Sequence, residues 1–191
     1  GQRMIITGDF NAPADGVVVF AADGAASPAG SAVQLAGTPA RIGASWWGLV
    51  QTVRGAALQR LVPAGDPATS GSLAVDHSVL VGGAEAGWLL QGAAKTLRVS
   101  RVATDGAMTD LGAFPTPLSP PLSAVERTGG GAWLAGQIDG RAAIVAIDAR
   151  GQVAPTRQLD VAPLTLARNG TTAVGIGRDV ADARDGTAHG P

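Results

Sequence analysis

The residues able to do chemistry are few. The chain has two histidines and no cysteine or tyrosine. Disulfides and thiolate metal sites are therefore excluded. His77 and His189 are far apart, and His189 lies in the Gly-rich end DGTAHGP. A metal site needs several well-placed ligands, so no histidine metal site is expected. Ser78 follows His77 directly, and neighbours on a strand point to opposite faces. No G-x-S-x-G elbow and no G-x-x-x-x-G-K loop is present. Gly129-Gly130-Gly131 precedes an apolar strand-like run, not a helix, so it reads as an inter-strand turn. The constellations left are Asp9 and Asn11 in GDFNA at 8–12, and Asp76-His77 in AVDHSVLV at 74–81.

The elements that must hold these residues are short. Gly 28 and Pro 12 punctuate 191 residues, and the longest stretch free of both is 93–105. That is too short for a helical bundle or for a membrane helix of about 20 residues. The chain is 46% hydrophobic and 15% charged, which excludes an intrinsically disordered chain. The formal net charge is −1. Without a basic excess, general nucleic-acid binding is excluded as a function class. No basic and apolar leader opens the sequence.

A repeat organises the whole chain, which reads as one domain over 1–191. Trp47, Trp88 and Trp133 are 41 and 45 residues apart. Each opens a short apolar segment: WGLVQ at 47–51, WLLQG at 88–92 and WLAGQI at 133–138. A turn follows each, and then a second segment: AALQRLV at 56–62, TLRVSRVA at 96–103 and AAIVAID at 142–148. Second segments end in acidic-glycine turns such as Asp105-Gly106 and Asp148-Ala149-Arg150-Gly151. The N-terminal MIITGDF and VVVFAA, and the C-terminal TTAVGIG, repeat this grammar.

Asp-Gly supplies the positive φ of tight hairpins, so each unit reads strand, turn, strand, turn. VVVF and AIVAI are apolar at consecutive positions, which predicts burial on both faces. Such strands usually lie under helices. Helices are not available here, so sheets must stack face to face. Segments 32–37, 72–81, 123–129 and 164–170 supply the other strands. PTPLSPP at 115–121 reads as a long outer loop. The pattern resembles the bacterial β-propeller repeat superfamily. That resemblance implies an all-β propeller, or an arc of one, with four to five blades of about 40 residues. The equivalent Trp positions are expected to pack between blades, with Trp46 outside the register and exposed.

GDFNA at 8–12 also resembles the GDFN motif of the endonuclease/exonuclease/phosphatase superfamily. The resemblance implies that Asp9 and Asn11 orient a phosphate and the attacking water beside a divalent metal. Asp76 and His77 would then serve as orienter and base. Read as structure alone, GDFNA is a strand end and a turn.

Loops on rigid scaffolds carry function. The turns joining first and second segments are expected to share one face, with Asp9, Asn11, Asp15, Arg54, Lys95, Asp139 and Arg141 as its binding residues. The function expected is a non-catalytic binding or scaffolding domain of a larger exported bacterial protein, periplasmic or extracellular. Its partner would be a protein or a polar small ligand, and another chain or domain would close the ring. No cofactor, metal, nucleic acid or transmembrane segment is expected. The alternatives are a propeller enzyme of lyase, hydrolase or quinoprotein type, and the metal-dependent phosphodiesterase.

Overall fold

A computed structural model of the chain describes residues 4–8, 16–20, 26–28, 35–62, 73, 77–93, 95–161, 164–169, 172–176, 180–182 and 187–189. Among the described residues, five antiparallel sheets follow one another along the sequence. The first holds β1 (Met4–Gly8), β2 (Gly16–Phe20) and β3 (Ala26–Pro28). The second holds β4 (Ala40–Ile42), β5 (Ser45–Thr52) and β6 (Gly55–Val62). The third holds β7 (Ser78–Val81), β8 (Ala86–Ala93), β9 (Thr96–Ala103) and β10 (Met108–Pro115). The fourth holds β11 (Ser119–Glu126), β12 (Ala132–Ile138), β13 (Arg141–Ile147) and β14 (Arg157–Gln158). The fifth holds β15 (Thr165–Asn169), β16 (Thr172–Ile176), β17 (Val180–Asp182) and β18 (Thr187–His189). No helix occurs among the described residues.

Strands within each sheet pair in chain order, so every sheet is a simple meander. The turn chemistry explains why. Asp139 and Gly140 have φ of 51° and 78°, the left-handed pair of a type I′ hairpin, between Ile138 and Arg141. Gly106 and Gly151 close the next turns with φ of 91° and 83°. In those turns the Asp105 carboxylate accepts the Ala107 N–H, and the Asp148 carboxylate accepts the N–H groups of Arg150 and Gln152.

The core lies between the sheets. One cluster joins Ile42, Trp47 and Leu58 of the second sheet to Leu80, Leu89 and Val102 of the third. Another joins Trp88, Leu90 and Val99 of the third to Leu134, Val145 and Ile147 of the fourth. A last joins Ala135, Ala142, Ile144 and Leu159 of the fourth to Leu164 and to Leu166 of the fifth. Alternate residues of β8 therefore face opposite neighbours, which is why its apolar run is continuous. The architecture is of the β-propeller type. First strands of the four later sheets begin at 40, 78, 119 and 165.

Two expectations are corrected. His77 in AVDHSVLV is not on a strand. Leu73 exchanges two backbone hydrogen bonds with Ala56 of β6, in the place of a fourth strand of the second sheet. The third sheet begins only at Ser78, and His77 before it is in a turn at φ 66°. A left-handed residue breaks strand geometry, and Leu73 and Ser78–Val81 belong to different sheets. Nor is PTPLSPP a long loop. Only 116–118 link β10 to β11, because Thr116 and Leu118 bury and Ser119-Pro120-Pro121 already belongs to β11.

Candidate functional site

The first strands of successive sheets touch one another: β4 with β7, β7 with β11 and β11 with β15. They surround a channel of about 650 Å³, lined by Ala40, Trp46, Val79, Leu122, Ser123, Glu126 and Thr165 among others. Ser123 ties two of these strands together. Its hydroxyl accepts the Leu166 N–H at 3.0 Å across 43 residues of sequence. Trp46 is half-buried on the channel, not fully exposed as expected, because the irregular pairing at Trp46/Trp47 turns it away from the inter-sheet core. Its neighbour Trp47 is fully buried.

Three hairpins share a common register. Trp47, Trp88 and Trp133 each lie five residues before the last pair of their hairpin, Thr52↔Gly55, Ala93↔Thr96 and Ile138↔Arg141. The turns that follow occupy corresponding ends of their sheets. Arg54, Lys95, Asp139 and Arg141 sit on these turns and are exposed. Hydrogen bonds hold two of these turns. The Thr52 hydroxyl accepts the Arg54 N–H at 3.3 Å, and the Lys95 carbonyl accepts the Thr116 N–H at 2.8 Å. Arg141 is in an ion pair with Asp160, a residue that no local pattern marks because it is 19 positions away.

Asp9, Asn11 and Asp15 lie outside the described residues, in the segment joining β1 to β2, as does Asp76. His77 is exposed in the turn before β7, so it is not a strand side chain alternating with Val79. Its carbonyl accepts the Gly92 N–H at 2.9 Å. Among the described residues, no three His, Asp or Glu side chains gather as a metal site.

The opposite ends of the sheets carry a second group of turns. Trp133 is half-buried there, with the Arg127 guanidinium 5.3 Å from its ring centroid. Asp148 is held below the usual carboxylate range, first by the Gln152 N–H and then by the Arg150 N–H and the nearby Arg150 and Arg127 charges. On the outer strands, Arg98 donates to Asp110 at 2.5 Å. That hydrogen bond and the Gly112 N–H lower the Asp110 carboxyl.

No family model and no curated protein matches the sequence. Solved structures do. TolB from Acinetobacter baumannii is similar at TM-score 0.65 and 14% identity, over 98% of this chain and 51% of that one. A functionally unknown protein from Desulfotomaculum acetoxidans is similar at 0.63 and 15%, over 99% and 65%. The periplasmic gluconolactonase PpgL of Pseudomonas aeruginosa is similar at 0.54 and 14%, over 98% and 65%. The chain thus spans half to two thirds of these proteins. They share its propeller-type fold, the class that the repeat implied.

Proposed function

We propose that the chain is a non-catalytic binding or scaffolding propeller module, an arc of a larger ring in an exported bacterial protein. It meets a polar partner with the sheet ends that carry Arg54, Lys95, Asp139 and Arg141. Asp9, Asn11 and Asp15 belong to the same reading through the segment joining β1 to β2. The observation that carries the proposal is the shared hairpin register, which sets exposed charged turns at corresponding ends of successive sheets. Short paired hairpins present such side chains at little ordering cost on binding. The span of half to two thirds of its structural neighbours supports the arc, and the periplasmic neighbour supports export.

Photo-crosslinking residues at 54, 95 and 139 test this, with 105 and 150 at the other sheet ends as controls. Discrete crosslinked partners are expected from the first set. Crosslinks from the control set alone would overturn the docking face.

The second reading is a propeller hydrolase, favoured by the likeness to gluconolactonase structures. Hydrolysis of gluconolactone by the purified full-length protein, well above the spontaneous rate, would replace the binding reading with it.

A further inference from the structure

Two equivalent seams between sheets differ. Between the second and third sheets the first-to-second-strand turns are in contact. Gly43 N–H donates to the Gly83 carbonyl at 2.9 Å, and Gly83 N–H to the Arg41 carbonyl at 3.0 Å. Gly82 and Gly87 approach Arg41 and Ile42 so closely that a Cβ at either position would collide. Between the third and fourth sheets the same level is open. A cavity of about 300 Å³ separates Ala84 and Glu85 of one turn from Gly129, Gly130 and Gly131 of the next.

Its walls carry both signs of charge. Trp88 and Arg101 are directly paired on β8 and β9, so both project on the face toward the fourth sheet. Glu85 and Glu126 line the same space. Arg101 and Glu85 are exposed, and neither side chain makes a hydrogen bond or ion pair with another described residue. Arg98 and Arg141, by contrast, each meet an aspartate. The glycine turn has φ of 84°, 93° and 88°, and a Cβ at Gly129 would meet nothing within 4 Å. The wall is therefore bare backbone at Gly129, while Gly130 and Gly131 lie against Ala149 and the Ile147–Asp148 backbone. Glu126 also lines the channel, so the two spaces adjoin.

We infer that this seam is a second ligand site, for a small zwitterion of amino-acid size. The guanidinium fork of Arg101 takes the ligand carboxylate. The Glu85 carboxylate takes its ammonium group. A simple anion would meet Glu85, and a simple amine would meet Arg101. Trp88 is only 4% exposed, so it closes the cavity instead of offering a stacking face to a sugar. The volume lies at the small end of ligand pockets.

The test is calorimetry on the full-length protein. The probes are the twenty amino acids and dialanine, with acetate, methylamine and glucose as single-chemistry controls. At least one zwitterion is expected to bind with Kd below about 1 mM. Arg101→Ala and Glu85→Gln are each expected to weaken it about tenfold or more. Ala84→Trp should block the opening. All three positions are exposed, so unchanged melting curves are expected to show intact folding. Lys95→Glu, at the far end of the sheet, should leave this binding untouched. That keeps the outcome separate from the docking reading. Absence of saturable zwitterion binding, binding indifferent to Arg101→Ala, or equal binding of acetate or glucose would each overturn the site.

Discussion

Trp88 stands directly opposite Val81, on the face of the third sheet that packs against the fourth. Trp133 has the same relation to Val125 in the next sheet, but its ring packs on a smaller cluster and stays half-buried. Trp88→Ala is therefore expected to cost about 3–5 kcal/mol, the scale for emptying a packed aromatic site. Trp133→Ala is expected to cost about 2 kcal/mol, from partial burial and the lost Arg127 contact. Urea denaturation curves of both variants measure this. Losses below about 1 kcal/mol at both would make the tryptophans surface residues.

The closed seam rests on glycine. A Cβ at Gly82 would fall on the backbone of Arg41, which has no flexible end to move aside. Gly82→Ala is expected to destabilise by about 1–3 kcal/mol or more. Gly37 has nothing within 4 Å of its would-be Cβ, so Gly37→Ala serves as the control and should be close to neutral. Equal melting temperatures for the two variants would contradict a tight seam.

Asp148 should make stability depend on acid pH. Its folded-state pKa is lowered, chiefly by the Gln152 N–H. The carboxylate thus contributes stability that is fully present above the unfolded value of about 3.9. That contribution fades as pH falls through the lower folded value. Asp148→Asn keeps an acceptor oxygen but cannot titrate. The stability gap between wild type and this variant should be present at neutral pH and close below about pH 4. A gap that stays constant to the acid limit would exclude the linkage.

Asp9 separates the turn reading from the phosphodiesterase reading. On the turn reading, its replacement by Ala should change stability by about 1 kcal/mol at most. Purified protein should not cleave a generic phosphodiester with Mg²⁺. Cleavage lost in both Asp9→Ala and His77→Ala would revive the metal-dependent alternative.

The architecture was legible because its signals are local. Asp139-Gly140 and Asp148 to Gly151 fix hairpins through φ and through side-chain hydrogen bonds over two to four residues. The Trp spacing and the continuous apolar runs revealed sheets buried on both faces, since the pleat sends neighbouring residues to opposite sides. Tertiary structure alone decided the rest. It placed Leu73 beside Ala56 of the second sheet and Ser78–Val81 in the third, with His77 in a turn where the local pattern read a strand. It joined Arg141 to Asp160 and Ser123 to Leu166. It closed one seam with glycine backbone and left Arg101 and Glu85 around an opening in the next. Local preference fixes where a strand turns, but which side chains meet depends on the register and stacking of whole sheets.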